Sequence, residues 1–410
     1  MIRARALNCT KTELTALQLT AMAFVDRSVV IEEPETVDWQ AVFEELKIQA
    51  ATAVVIDVLS EYEQYIPQEI FYQWFQYSMQ VINIGHRILF AQSKLNELFE
   101  QNGIPLATLK GAAAACYYPN PSYRNMGDID FLVEERDFET AVGLMQNNGY
   151  HLTYPMDHVD YHVTFDKDGV VFELHKEPAG IAHNQYGDVL RDLYREAPAR
   201  AIKESILEYE FFRMPRLENG MVLLLHIVKH LDGGLGIRQL CDWMAFVQKE
   251  LTDEVYRTEF QPLLKKTGLE KMACIAAKTC CLYLGLTGIT WCMDADETAC
   301  MEFMHFALNN GNFGYKDPSS NRVGAVLGKA NYGDKRPFLI RAISNLQKSG
   351  MRNWEAVKRH PFLKYIAWAY IPCRYIGRII TGKRSLSDTK RLAKTINSDK
   401  SLKDKLAVFE

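Results

Sequence analysis

The seven residues Gly127-Asp128-Ile129-Asp130-Phe131-Leu132-Val133 constrain the fold more tightly than any other stretch of the chain. Side chains two apart on a strand share a face, so both aspartates point one way while Ile129 and Phe131 point the other. Like charges this close repel each other at the head of a strand that then turns wholly apolar. A divalent cation between them removes that conflict.

A third carboxylate completes the pattern. In Val170-Val171-Phe172-Glu173-Leu174-His175, Glu173 is polar between apolar neighbours and His175 falls on the same face. Phosphoryl and nucleotidyl transfer need such carboxylates, because two ions roughly 3.5–4 Å apart hold a triphosphate and lower the pKa of an attacking hydroxyl. Asp128, Asp130 and Glu173 are therefore candidates both for catalysis and for holding Mg²⁺ or Mn²⁺, with a nucleoside triphosphate as substrate. Upstream, Leu109-Lys110-Gly111-Ala112 lies where a strand hands over to a helix. Gly111 there lets backbone N–H groups approach a phosphate, and Lys110 supplies compensating charge. Arg124, in a loop containing Pro119 and Pro121, is placed to reach a phosphate as well.

The period of apolar residues organises the rest. From Asp38 to Asn102 they recur at three and four, as in Ile84, Ile88, Ala91, Leu95 and Leu98, which predicts long amphipathic helices stopped by Asn102-Gly103. Strands are expected over Ile104–Leu109, Ile129–Val133, Tyr161–Phe165 and Val170–Leu174, with helices over Ala112–Tyr118 and Glu135–Asn147. Asp166-Lys167-Asp168-Gly169 suits a hairpin turn. After Pro178 the pattern is mixed, then helical again, most clearly over Met221–Leu231 and Leu240–Leu251. The chain divides into a helical region (1–102), an α+β core (103–215), a helical domain (216–315), and a linker with a basic, aromatic helical segment (316–410). The stretch from Gly311 to Asp334 reads as loop.

With 410 residues, 48% of them hydrophobic, the chain exceeds the about 250–300 residues at which single cores stop growing. Its 47 basic and 51 acidic residues leave a net charge of -4, so no global basic field points to nucleic acid. Nine cysteines without C-x-x-C spacing read as reduced thiols, and the N-terminus lacks a secretory core, so a cytoplasmic location is expected. No stretch is apolar enough to span a bilayer.

The ordered run Leu109-Lys110-Gly111, Tyr118-Pro119, Arg124, Gly127 to Val133, Gly149-Tyr150 and Phe172-Glu173-Leu174-His175 resembles the uncharacterised nucleotidyltransferase family of bacteria, within the polymerase-β-like superfamily. The resemblance is strong over 104–176 and looser to about Phe246. It implies an α+β fold: a small mixed sheet with helices, bracketed by N-terminal and C-terminal helical regions. It also implies Asp128 and Asp130 as ligands to both metals, Glu173 as ligand to the catalytic one, and Lys110, Gly111, Arg124, His175 and Arg238 around the nucleotide. Where the superfamily usually has Gly-Ser, this chain has Gly111-Ala112, and Lys110 is expected to take over that phosphate contact. The implied activity is transfer of a nucleoside monophosphate onto a hydroxyl of an acceptor: a small molecule, sugar, peptide or protein. The alternative is a non-catalytic nucleotide-binding or antitoxin-like partner protein.

In the helical half, His226 and His230 have metal-ligand spacing, yet the acidic residue of H-E-x-x-H is absent, which disfavours zinc. His226, His230, Gly236, Arg238 and Asp242 match a pattern of the same family. Arg238 and Asp242, four apart, fit either a helix-surface ion pair or a cluster closing over the nucleotide with Arg238 on a phosphate. From Pro361 to Pro372 aromatic residues lead into Arg374, Arg378, Lys383 and Arg384. That run (361–384) is a candidate for peripheral membrane contact, with Pro372 expected to break it.

Overall fold

A computed structural model of the chain describes residues 7–25, 28–153, 161–316, 338–354, 356–357, 360–381 and 401–410. The first elements are helical: α1 (Lys11–Phe24), α2 (Trp39–Ile48), the single turn α3 (Ile56–Leu59) and the 34-residue α4 (Gln68–Gln101). Thr10 and Glu13 form a reciprocal capping box on α1, and Asp38 caps α2 through the Ala41 N–H, so local chemistry sets both starts. These helices bury Leu19, Trp39, Phe43, Leu46 and Trp74 in a core of their own.

Seven strands then build one mixed sheet: β1 (Leu106–Thr108), β2 (Asp128–Val133), β3 (His151–Leu152), β4 (His162–Lys167), β5 (Val170–His175), β6 (Ile202–Ile206) and β7 (Tyr209–Arg213). Their spatial order is β3-β4-β5-β2-β1-β7-β6. The β2–β5 and β1–β7 pairs are parallel, and β1–β2, β3–β4, β4–β5 and β6–β7 are antiparallel. The β4–β5 hairpin turns on Asp168 (φ 54°) and Gly169 (φ 68°). Two successive residues with positive φ match the twist of the flanking strands, which is why Asp-Gly serves there.

The helices interleaved with the strands are α5 (Ala112–Ala115), α6 (Phe138–Asn147) and α7 (Gln185–Tyr194). One face of the sheet is apolar: Phe131, Phe165 and Phe172 pack with Leu95 and Phe99 of α4 and Met145 of α6. Phe99 and Phe131 meet edge to face at 5.5 Å. After the sheet come α8 (Arg216–His230) and α9 (Ile237–Glu250), then helices Glu270–Tyr283 and Glu297–Asn310, which share a larger core with Leu109, Tyr118 and Leu132.

Several expectations need correction. The helix expected over Ala112–Tyr118 ends at Ala115, and the β6–β7 hairpin lies in a stretch read only as mixed. Pro372 does not break its segment. It lies just past the junction where a 3₁₀ stretch over Pro361–Ala369 runs into a helix over Tyr370–Ile380, in the first turn of that helix, where proline is tolerated. Of the expected Gly311–Asp334 loop, residues 317–334 lie outside the described residues, as do Lys383 and Arg384. All nine cysteines are free. Among the described residues no helix is long and apolar enough to cross a membrane.

Candidate functional site

The carboxylates meet through strand register. Parallel pairing of β2 with β5 sets Asp130 opposite Glu173 and Leu132 opposite His175. The two-residue β4–β5 turn in its turn sets His162 opposite His175 and Thr164 opposite Glu173. One side of the sheet therefore carries Asp128, Asp130, Glu173, His175 and His162 together. Asp130 and His175 are buried, at 3% and 1% exposure, whereas Asp128 is exposed at the strand head. The Leu109 N–H donates to the Asp130 carbonyl at 2.9 Å, which ties the Lys-Gly turn to the Asp-x-Asp strand.

Both oxygens of Asp130 are engaged. Lys110 Nζ lies 2.7 Å from Oδ2 and His175 Nε2 lies 3.0 Å from Oδ1. The same His175 nitrogen is 3.4 Å from Glu173 Oε2, and His162 Nε2 is 3.9 Å from Glu173 Oε1. The two imidazoles stack, with ring centroids 5.0 Å apart.

Charge follows this geometry. Repulsion from Asp130, and then the water lost to the surrounding protein, raise the Asp128 carboxyl above its ordinary range, with Lys110 and Arg238 opposing. Burial also works against the charge of Asp130, but Lys110 and His175 outweigh it and hold that carboxyl well below the usual range. Burial disfavours charge on Lys110 too, and Asp130 and Asp128 more than offset this, so its pKa stands above the ordinary lysine value. Burial and the neighbouring His175 bring His162 down to about 4. The result is a cluster of alternating sign whose centre, Asp130, is buried.

Gly111 adopts φ 53°, a left-handed backbone that a side chain resists, at the start of α5. A Cβ added there would approach the Asp128 carbonyl at 4.0 Å. Glycine at this position is therefore a backbone requirement and not one of space.

Arg124 is not free to meet a phosphate in the expected way. It is 2% exposed, and its Nε and Nη2 donate to Asp242 Oδ1 and Oδ2 at 2.7 and 2.8 Å. The Tyr118 hydroxyl also donates to Asp242, at 2.7 Å. The expected Arg238–Asp242 surface pair is thus replaced by a buried Arg124–Asp242 pair. Arg238 turns instead to the Asn125 carbonyl at 3.3 Å and the Asn312 side chain at 3.5 Å. It still faces the carboxylates closely enough to act on Asp128.

His226 and His230 are both buried, with Nε2 atoms 3.0 Å apart. The Gly234 carbonyl, which can only accept, lies 3.0 Å from His230 Nδ1, so that nitrogen carries the proton and Nε2 accepts from His226. Burial drives both pKa values well below the usual one, and the neutral pair is satisfied internally. No third His, Cys, Asp or Glu joins it among the described residues.

Sequence reading missed His162 and Lys229. Counting back from the Asp168-Gly169 turn would have placed His162 opposite His175. Lys229, between the two helix histidines, acts on Asp130 and His162, and nothing local distinguishes it from a solvated lysine.

One ligand atom each from Asp130, Glu173 and His175 fall within 4.8 Å of one another. Buried oxygen donors with one imidazole fit a divalent cation. The carboxylates are paired across parallel strands beside a Lys-Gly turn. A family model described as uncharacterised nucleotidyltransferase matches residues 35–285, more than half of the chain. The chain belongs to that family. No curated protein matches it.

Proposed function

We propose that this protein is a metal-dependent nucleotidyltransferase that moves a nucleoside monophosphate from an NTP onto a hydroxyl of a small-molecule, sugar, peptide or protein acceptor. The observation that carries the reading is the register of Asp130 opposite Glu173, with Lys110 closing on the same carboxylate. Asp128, Asp130 and Glu173 would hold Mg²⁺ or Mn²⁺, which when bound draws charge from the triphosphate and acidifies the attacking hydroxyl. Glu173, half-buried at the rim, takes the acceptor's proton. The acceptor oxygen bonds to the α-phosphorus, the α–β phosphoanhydride bond breaks, and pyrophosphate leaves. Lys110 and Arg238 carry positive charge toward the phosphates, and the Gly111 turn lets backbone approach them. Arg124 serves by holding the loop before β2, and His175 by facing Asp130 and Glu173 from the buried side.

The four-part division at 102, 215 and 315, with helical regions bracketing a polymerase-β-like core, and a cytoplasmic location belong to the same proposal. So does peripheral membrane contact through 361–384, supported by the exposure of Phe362, Tyr365, Ile366 and Trp368 beside Lys364, Arg374 and Arg378.

The test is transfer of label from each α-³²P NTP, with Mg²⁺ or Mn²⁺, into any component of a cell extract. Label should leave the NTP for one nucleotide with wild type and not with Asp128→Asn/Asp130→Asn. Nucleotide binding without transfer would favour the non-catalytic alternative.

A further inference from the structure

We infer that the cation site is a mixed nitrogen–oxygen site, with His175 Nε2 a ligand beside Asp130 and Glu173, and that it takes a first-row transition ion such as Mn²⁺ in preference to Mg²⁺. The inference rests on the cation-dependent reading above and gives that cation an identity.

Three observations lead to it. His175 Nε2 is aimed at both carboxylates, 3.0 Å from Asp130 and 3.4 Å from Glu173, and the three residues offer ligand atoms within 4.8 Å. Those carboxylates can only accept, so the ring proton now stands where a shared cation would. Secondly, the ring is held in place. It is 1% exposed and flanked by His162 at 5.0 Å and Tyr161 at 5.8 Å between ring centroids. Thirdly, His175 Nδ1 has no hydrogen-bond partner among the described residues. Nothing therefore commits that nitrogen to being an acceptor, and an ion between the carboxylates takes the Nε2 lone pair in place of the proton that now bridges to them, releasing that proton.

The donor set then decides the metal. Mg²⁺ is hard, keeps its waters and prefers oxygen in a near-octahedral shell. An imidazole nitrogen suits first-row transition ions, and two carboxylates beside it keep Mn²⁺ within range. Asp128, exposed and outside the three-residue group, meets the cation from the phosphate side of the site.

The test uses Mn²⁺ alone as the probe on the full chain, with pulsed electron paramagnetic resonance to detect directly bonded ¹⁴N. The wild type should bind Mn²⁺ with one strongly coupled nitrogen. His175→Gln should lose that coupling and weaken Mn²⁺ by at least the roughly tenfold that even an orienting partner costs, with Mg²⁺ competition little changed. Bound Mn²⁺ with no nitrogen coupling, coupling that survives His175→Gln, or no bound Mn²⁺ at millimolar levels would each overturn the inference. The wild-type spectrum decides the matter even if the variant does not fold. Missing nitrogen coupling with intact label transfer from NTP would remove this inference and leave the transferase reading standing.

Discussion

Arg124, in the loop before β2, and Asp242, in α9, form a two-pronged ion pair buried at 2% exposure on each side. The pair fastens the approach to the Asp-x-Asp strand onto the helical half of the molecule. Such a pair is costly to break, because the surviving partner is left charged in a dry place. Asp242→Ala should therefore lose about 3–5 kcal/mol in urea unfolding. Arg124→Met/Asp242→Leu, which removes both charges, should lose less than the single variant.

Asp128 stands in the opposite situation. Its charge is disfavoured by Asp130 and then by the water that the surrounding protein displaces. Removing that charge should relieve the metal-free protein, so Asp128→Asn should raise metal-free stability by roughly 0.5–1 kcal/mol, the scale of a like-charge contact on a strand. The same variant should lose the stabilisation that metal and nucleotide confer. Calorimetry with and without chelator reads both signs.

Asp253 provides a pH-dependent contribution away from the site. It accepts from the Thr290 hydroxyl, from the Thr290 N–H at 2.7 Å and from the Trp291 N–H at 3.2 Å. The Thr290 contacts hold its carboxyl below the ordinary range. A folded pKa below the unfolded one means stability that is present above the unfolded value and lost as pH falls through the folded one. Asp253→Ala should cost about 1 kcal/mol at neutral pH, allowing for solvent screening. The gap to wild type should close on acidification below about pH 4.

The 361–380 segment exposes Tyr365 at 74% and Phe362 at 66%, with Lys364, Arg374 and Arg378 nearby. Sedimentation with anionic phosphatidylserine vesicles should retain wild type at low salt and release it when Phe362, Tyr365 and Trp368 are changed to serine. Equal sedimentation of the two proteins would remove membrane contact from the account.

Local signals made part of this molecule readable. Alternation in Asp128–Val133 and Val170–His175 marked two strands, and Asp168-Gly169 marked the turn that sets β4 against β5. The β6–β7 hairpin stayed hidden because its turn places Leu207 at φ 55°, with no glycine or asparagine to announce it. Its strands also carry Lys203, Glu204 and Glu210, as suits the edge of a sheet. The ion pair of Arg124 stayed hidden for a different reason. Its partner lies 118 residues away, and proximity to Asp128 in sequence carries no information about that contact. His162 was countable from the Asp168-Gly169 turn and was passed over, whereas Lys229 reaches the site through helix docking, which no local pattern encodes.

The proposed reaction requires that Asp128, Asp130 and Glu173 bind a nucleoside triphosphate through a divalent cation. It is tested most directly by thermal unfolding with each NTP and Mg²⁺ or Mn²⁺, beside Asp128→Asn/Asp130→Asn and Glu173→Gln. A ligand at about 100 times its Kd adds roughly 2.7 kcal/mol to the native state. At least one NTP should stabilise wild type only when metal is present and should stabilise neither variant. Equal behaviour of wild type and variants, or no shift with any nucleotide in any metal, would contradict it.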